Sequence, residues 1–217
     1  MKKIVTLGPK GTYSNHVANT IVPDDMGIDL VTIPPDLIEA VKKISGDIVA
    51  GSLGNMAVIQ KIPESMAGIV PIHNTHGKMV NLAPIGIYQL RLKYPTTRII
   101  GWYSLQIDHI LASNHHTNLG NLKHIYSHPQ AISQCSENIT KLQRKITLHN
   151  TPSTTSHIPY LRDGEAVICS EQSARDNDLH ILDDAFGPQN NITSFAVVST
   201  NEELEMRDFN GLNKDKT

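Results

Sequence analysis

Apolar, strand-like segments alternate with helix-like segments along most of this chain, and this alternation restricts the possible fold more than any other feature. The segments KIVTL, IDLVTI and MAGIVPI are short and apolar, and they end at turn residues, as buried strands do. GTYSNHVANTIV follows the first strand as a helix, and DLIEAVKKIS follows the second as a helix that starts at Pro34-Pro35. The pattern predicts an α/β fold with a mainly parallel sheet.

The alternation continues towards the end of the chain. TTRIIGWYSLQIDHILAS is predicted as two strands around a short turn, and AVICS and SFAVVS as later strands. SHPQAISQC and SEQSARDN each carry a helical pattern after a strand. Residues 45–65 are predicted as a strand or turn pair inserted before the third core strand. The polar residues 201–217 are predicted as a short helix and a frayed tail.

The composition excludes several classes of function. The 217-residue chain has a net charge of -2, so it has no general attraction for nucleic acid or anionic membranes. No apolar run is long enough for a signal peptide core or a membrane span. Two cysteines are too few for a disulfide framework, so a cytoplasmic protein is expected. The eleven histidines lack zinc-site spacing, and no metal is expected.

Three strand-to-helix junctions carry hydroxyl side chains: GPKGTYS at 8–14, SHPQA at 127–131 and TPSTTS at 151–156. The start of a helix has free backbone N–H groups and partial positive charge, so it can bind a carboxylate or phosphate. The alternative is that Ser127, Ser153 and Thr154 only cap their own helices. Ligands of open α/β sheets bind at the carboxyl ends of strands, which favours a site for a small polyanion.

The GPKGT segment does not match a nucleotide-binding motif. In a P-loop, Lys follows the last glycine, whereas Lys10 precedes Gly11 in this chain. A dinucleotide-binding fingerprint needs a third glycine, where the sequence reads TYSNH. Neither nucleotide-cofactor motif is therefore present.

The loop PIHNTHG at 71–77 is a candidate for proton chemistry. A histidine titrates near neutral pH and could donate a proton to a substrate held by neighbouring polar groups. A solvated turn stabilised by Asn74 is the alternative. His128 in SHPQA is a secondary candidate, because a histidine at a helix entry can simply pack. Cys135 and Cys169 lie in apolar or helical patterns that favour core positions over nucleophiles.

Five segments, in order from about residue 3 to residue 199, resemble the catalytic domain of prephenate dehydratases. They are LGPKGTYSNHVA, GIVPIHNTHGKMVN, SHPQAISQC, STTSHIPYLRDGEAVICSEQSA and NNITSFAVVS. The resemblance implies two α/β lobes of the periplasmic-binding-protein type II kind, with prephenate in the cleft and neither metal nor organic cofactor. It also implies a homodimer.

The resemblance also implies a domain organisation. A catalytic domain covers residues 1–200, with lobe one at about 1–80 plus 180–200 and lobe two at about 81–179. Residues 201–217 form the tail. Because few residues follow the last strand, no regulatory ACT domain is expected.

The sequence departs from the family pattern at the Thr-Arg-Phe motif, which reads Thr193-Ser194-Phe195. In the family the threonine assists departure of the ring hydroxyl, and the arginine supplies a fixed cation. Serine removes that charge and its donors. The family's Glu-Asn-Ser is His73-Asn74-Thr75. These changes predict the non-aromatising prephenate decarboxylase branch, in which CO2 leaves, the hydroxyl stays and a dihydro-4-hydroxyphenylpyruvate forms for antibiotic-type biosynthesis.

In this hypothesis Thr193, Ser194 and His73 are catalytic. The substrate-binding residues are Gly11, Thr12, Ser14, Asn74, Thr75, Ser127, Ser153, Thr154 and Phe195. Two alternatives remain open. The first is a prephenate dehydratase of phenylalanine biosynthesis, in which Lys10 or Lys78 replaces the missing arginine. The second is a catalytically silent prephenate-binding protein.

Overall fold

The computed structural model describes residues 3–34, 37, 40, 53–74, 83–142, 145–151 and 154–212. The predicted roles of Thr75, Lys78 and Ser153 lie outside these ranges, as does most of the helix predicted after Pro34-Pro35. Residues 37 and 40 of that segment are helical.

Two five-stranded sheets form the framework. The first has the order β2-β1-β3-β10-β4, and the second has the order β7-β6-β8-β5-β9. The strands are β1 Lys3–Leu7, β2 Gly27–Val31, β3 Ala67–Asn74, β4 Arg98–Gln106, β5 His109–Ser113, β6 His124–Ser127, β7 Thr147–Asn150, β8 Glu165–Ser170, β9 His180–Asp183 and β10 Ile192–Ser199.

Helices pack against both sheets, and most follow a strand directly. They are α1 Tyr13–Ile21, α2 at 53–61, α3 Ala83–Lys93, α4 Pro129–Gln134, α5 Ser136–Lys141, α6 Thr154–His157 and α7 Glu171–Asp176, with 3₁₀ turns at Ile62–Glu64, Ile158–Tyr160 and Met206–Asp208. The α/β class predicted from the alternation is confirmed.

The sheets are mixed, which corrects the prediction of mainly parallel pairing. β1 pairs in parallel with β2 and β3, and β6 pairs in parallel with β7 and β8. β10 is antiparallel to both β3 and β4, and β5 is antiparallel to both β8 and β9. The apolar pattern of a strand indicates that it is buried but not which way it runs, so the sequence could not distinguish parallel from antiparallel pairing.

The chain crosses from the first lobe to the second at Ile107 and Asp108 and returns through residues 184–191. The lobe limits predicted at 80/81 and 179/180 are therefore wrong. β4 belongs to the first sheet because it pairs along its whole length with β10. β9 belongs to the second sheet because it pairs with β5.

Residues 53–61 form a helix, so the prediction of a strand or turn pair at 45–65 is wrong over this part. Val58 and Ile59 on α2 are buried with Val70 on β3 and Ala196 on β10. α2 therefore covers the face of the first sheet opposite α1, whose residues Val17, Ala18 and Ile21 pack on the other face.

The residues after β10 pack onto the first lobe, which corrects the prediction of a frayed tail for 201–212. Leu204 and Phe209 are buried in the same core cluster as Phe195. The Arg98 guanidinium donates hydrogen bonds to the Leu204 carbonyl and, at 2.6 Å, to the Glu202 carbonyl.

Candidate active site between the lobes

A cavity of about 200 Å³ lies between the two lobes, at the ends of the strands where α1, α4, α6 and α7 begin. Hydroxyl side chains from both lobes line it. They are Thr12, Tyr13, Ser14 and Thr193 from the first lobe, and Ser127, Thr154, Thr155, Ser170 and Ser173 from the second. The sequence predicted a hydroxyl-rich site at strand-to-helix junctions, and the structure brings those junctions together.

None of the described residues that line this cavity is Lys, Arg, Asp or Glu. The polar groups are hydroxyls, the amides of Asn55, Gln130 and Gln134, and the imidazoles of His109 and His128. An anion in the described part of the cavity would therefore be held by neutral donors, which bind a carboxylate without a fixed counter-charge.

The turn between β1 and α1 supplies Gly11, Thr12 and Ser14 to the first-lobe wall. Thr12 is the N-cap of α1: its Oγ1 accepts from the Asn15 amide at 3.3 Å and donates to the Pro9 carbonyl at 2.9 Å. Gly11 has a φ of 83°, a left-handed conformation that costs a side-chain-bearing residue free energy. The local sequence therefore determines the conformation of this turn through the Thr12 cap and Gly11.

β10 presents alternate residues to the cavity. Thr193 and Phe195 line it and are buried, at 6% and 1% exposure. Ser194 lies between them and does not line the cavity; its Oγ is 3.3 Å from the Ser104 Oγ on β4. Successive side chains of a strand point to opposite faces, so Ser194 is directed to the face opposite that of Thr193. The structure therefore places Ser194 outside the described lining of the cavity.

The structure also places His73 outside the described lining of the cavity. His73 is exposed and does not line the cavity, whereas Pro71 on the same strand does. It lies opposite Ser194 in the pairing of β3 with β10, on the side to which Ser194 is directed. Lys10, a proposed replacement for the arginine, is exposed and also absent from the lining. The Asn74 side chain lies outside the described part of the chain.

In the second lobe, the alternative that Ser127 caps its helix is not borne out. Its Oγ donates to the Ile168 carbonyl at 2.8 Å and is 3.2 Å from the Thr154 Oγ1. His128 is the N-cap of α4, because its Nδ1 accepts from the Gln130 amide at 3.2 Å. Ser127 therefore ties β6 to β8 and orients Thr154 at the lining.

Sequence reasoning missed three hydroxyl residues of the second lobe. Ser170 caps α7 by accepting from the Ser173 amide at 3.1 Å, and it donates to the Gly11 carbonyl of the other lobe at 3.3 Å. The Thr155 Oγ1 and Ser173 Oγ are 3.3 Å apart. The strand AVICS followed by the helix SEQSARDN is a junction of the same type as the other three and carried the signal for Ser170 and Ser173, and Thr155 lies within the TPSTTS junction.

His109, Gln134, Asn55 and Tyr13 were also missed. The His109 Nε2 is 2.8 Å from the Gln134 Oε1, and burial lowers the pKa of this imidazole below its ordinary value. Tyr13 donates to the Asp108 carbonyl at 2.7 Å, and burial raises its pKa. Asn55 lies on α2, which the sequence analysis assigned wrongly. Tyr13 and Gln134 lie within the GPKGTYS and SHPQAISQC segments, whereas no local motif marks His109 or Asn55.

Both cysteines are core residues, as their patterns predicted. They are free thiols, and burial raises the pKa of each to about 12. Cys169 lines the cavity but is almost wholly protonated at neutral pH, so it is a poor nucleophile.

Among the described residues, no three His, Cys, Asp or Glu side chains are grouped so that they could bind a metal ion. Within the same ranges, no helix has the length and apolar composition needed to span a bilayer.

The family model described as prephenate dehydratase matches residues 56–203, which is more than half of the chain. The chain belongs to the prephenate dehydratase family. It is 27% identical over 203 residues to the bifunctional chorismate mutase/prephenate dehydratase of Enterobacter agglomerans, covering 91% of this chain and 46% of that protein. It is 26% identical over 200 residues to the prephenate dehydratase of Methanocaldococcus jannaschii, covering 91% of this chain and 64% of the relative.

The prephenate dehydratase of Staphylococcus aureus has the same fold. Its crystal structure superimposes with a TM-score of 0.66 at 20% identity, over 93% of this chain and 67% of that chain. The two α/β lobes implied by the resemblance are therefore confirmed for this chain. This chain spans 46% of the Enterobacter relative and 64% of the Methanocaldococcus relative, so it matches only part of each.

Proposed function

We propose that the interlobe cavity binds prephenate and that the protein is a prephenate dehydratase, which releases CO2 and water to form phenylpyruvate. The observation that carries the proposal is the position of Thr193, whose side chain lines a cavity rich in hydroxyl groups contributed by both lobes. The family match and the names of the relatives support the choice of substrate.

The polar groups of the cavity complement those of prephenate. The substrate carries two carboxylates and a ketone, all hydrogen-bond acceptors, and the cavity offers Ser and Thr hydroxyls as donors. The free backbone N–H groups that begin α1 add donors with partial positive charge. Closing the two lobes around the ring would remove water and strengthen each of these hydrogen bonds.

In the proposed reaction the bond between the ring and its carboxylate breaks, and its electron pair enters the ring as CO2 departs. The bond between the ring and its hydroxyl then breaks, and that oxygen takes a proton to leave as water. Aromatisation supplies the driving force. A hydrogen bond from the Thr193 hydroxyl would stabilise the negative charge that develops on the departing oxygen.

The orientation of Ser194 favours this reaction over hydroxyl retention. The argument for retention depended on a missing cation beside the substrate, but residue 194 is directed to Ser104 on the other face of β10. A neutral side chain at this position therefore leaves the described cavity lining unchanged.

The non-aromatising prephenate decarboxylase is the second candidate, and a different observation favours it. None of the described lining residues is Lys or Arg, so no fixed cation of this lining assists the departing hydroxide. If the hydroxyl stays, the ring carbanion takes a proton and a dihydro-4-hydroxyphenylpyruvate results.

Incubation of the purified protein with prephenate, followed by mass spectrometry, separates the candidates. Phenylpyruvate supports the dehydratase. A product heavier by one water molecule supports the decarboxylase and rejects the dehydratase. Prephenate that binds but persists supports a silent binding protein. A reaction without protein and one with Thr193→Val, which removes the hydroxyl at constant volume, serve as controls.

We also propose a cytoplasmic homodimer. Two free, buried cysteines suit a reducing compartment. Ile85, Tyr88 and Leu92 form an exposed apolar row along α3, at 54%, 64% and 68% exposure, and such a row favours association. Light scattering should report a dimer that Leu92→Arg dissociates. Leu148→Arg on β7, another exposed apolar site, is the matched control and should leave the dimer intact.

A further inference from the structure

Three buried polar side chains form a hydrogen-bonded row beside the cavity. The His109 Nε2 is 2.8 Å from the Gln134 Oε1, and the Gln134 Nε2 donates to the Asn191 Oδ1 at 3.0 Å. Their exposures are 5%, 8% and 0%, and His109 and Gln134 line the cavity. The row joins β5 and α4 of the second lobe to the residue immediately before β10.

The direction of these hydrogen bonds fixes the tautomer of His109. Because the Gln134 amide nitrogen donates to Asn191, the Gln134 oxygen faces His109 and must accept. The His109 Nε2 therefore carries the proton, and Nδ1 holds a lone pair in the neutral ring. Nδ1 is buried, and no described residue donates to it. A proton at Nδ1 would have no acceptor, which opposes charging of the ring.

The row lies beside the two segments that connect the lobes, which are Ile107–Asp108 and residues 184–191. The Ile107 amide donates to the Asn191 carbonyl at 2.7 Å, and the Gly187 amide donates to the His109 carbonyl at 2.9 Å. Backbone hydrogen bonds therefore join the two connecting segments to each other. The side-chain row also links them to α4 through Gln134. Thr193 follows Asn191 by two residues, so the row bears directly on the start of the strand that carries the proposed catalytic hydroxyl.

We propose that His109 is a positioning residue, which acts through Gln134 and Asn191 to hold Thr193 in its place at the cavity. This inference rests on the proposed function, because it concerns the hydroxyl that assists the departing oxygen. The neutral Nε2–H tautomer is the active form, since it donates to Gln134 and leaves Nδ1 uncharged, whereas the charged ring would add an N–H at Nδ1 that has no acceptor.

Several titratable groups surround His109. The Tyr13 ring is edge-on to it, with centroids 5.7 Å apart, and the neighbouring Asp108 favours the charged imidazole. The thiols of Cys135 and Cys169 lie near Tyr13 and are protonated. Burial is the largest influence on His109 and lowers its pKa, so the neutral form persists below the pH at which an exposed histidine is protonated.

Two substitutions of His109 by amide residues test whether the hydrogen bond to Gln134 matters independently of the volume of the imidazole ring. In His109→Gln the amide reaches about as far as Nε2, so it can still donate to Gln134. In His109→Asn the amide reaches only about as far as Nδ1. We expect His109→Gln to keep kcat within about threefold of wild type, and His109→Asn to lower it by ~10- to 100-fold with little change in KM. His180→Asn, at an exposed site on β9, is the matched control.

A double substitution tests whether the row acts as a unit. Asn191→Leu removes the acceptor of Gln134, and we expect it to lower kcat as His109→Asn does. Residues of one network give non-additive effects, so the double variant should lose no more than the worse single variant. Fully additive losses, or equal kcat values for His109→Gln and His109→Asn, would overturn the proposal.

A magnetic resonance measurement on the protein without substrate keeps this test separate from the proposed function. The Thr193 amide signal should shift in His109→Asn and stay near its wild-type position in His109→Gln. If wild-type protein does not turn over prephenate but these shifts are observed, the proposed function fails and the positioning role of the row stands. If turnover is normal and Thr193 does not respond, the positioning role alone is wrong.

Discussion

Thr193 and Ser194 are neighbours in sequence, but they face opposite sides of β10. We expect Thr193→Val to lower the rate of prephenate turnover by ~10²–10³, the usual cost of losing one donor at a developing negative charge. Ser194→Ala should change the rate by about twofold or less, because its hydroxyl contacts Ser104. Steady-state kinetics of the two variants provide the comparison. Equal losses would mean that Ser194 reaches the substrate.

The buried imidazole of His109 predicts how stability depends on pH. Its pKa is lowered in the folded protein, so unfolding lets it bind a proton that the native state excludes. Its effect on stability is therefore constant above about pH 6.5 and becomes destabilising as the pH falls through that value towards the folded pKa. His157 has the same direction of shift, with burial as the main cause.

Urea unfolding at several pH values tests this prediction. The wild-type free energy of unfolding should decrease between about pH 7 and pH 5, and His109→Gln should reduce the decrease because glutamine does not titrate. His180→Gln, at an exposed site on β9, is the control. An unchanged pH dependence in His109→Gln would mean that His109 is readily protonated in the native protein.

At the scale of single elements, α7 and the turn before α1 meet at the cavity. Ser170 caps α7 and also donates to the Gly11 carbonyl across the lobes. Ser170→Ala should lower the free energy of unfolding by about 1 kcal/mol, the typical cost of a lost N-cap. Thr20→Ala, which removes an exposed hydroxyl within α1, should have little effect in the same urea titration. Equal effects would argue against a capping role for Ser170.

Much of the secondary structure could be predicted, because alternation and turn chemistry are local. The strands at 3–7, 67–74 and 192–199 are examples. α2 was missed because Gly51-Ser52-Leu53-Gly54-Asn55 has the composition of a turn. A Cβ at Gly54 would lie 2.4 Å from the Leu7 Cδ1, so this glycine permits close packing of α2 on β1. This packing requirement involves residues that are distant in sequence, so a local sequence pattern does not reveal it.

At the scale of the whole molecule, the cavity is completed only by residues from both lobes. A ligand that contacts both should stabilise the assembled protein, by about 2.7 kcal/mol at a concentration 100 times its Kd. We therefore expect prephenate to raise the melting temperature, and a ring compound with one carboxylate to raise it less. Calorimetry provides the measurement. Equal shifts with both compounds would indicate that the second carboxylate makes no contact.

The candidate site was predictable to the extent that its residues lie at strand-to-helix junctions. Thr12, Ser14 and Thr154 were found because hydroxyls beside a turn mark such a junction. His109 and Gln134 reach the cavity through the arrangement of the two lobes, which no short motif encodes. The orientation of Ser194 follows from strand alternation, but using it required knowing which face of β10 borders the cavity.

The central position of β10 in the first sheet has a consequence for synthesis on the ribosome. β10 lies between β3 and β4, yet it is made after every other strand. The nascent chain can complete the second sheet once Asp183 has emerged, while β4 still lacks its pairing partner. The lobe that begins first is thus the last to close, and until then the edges of β3 and β4 remain unpaired in the nascent chain.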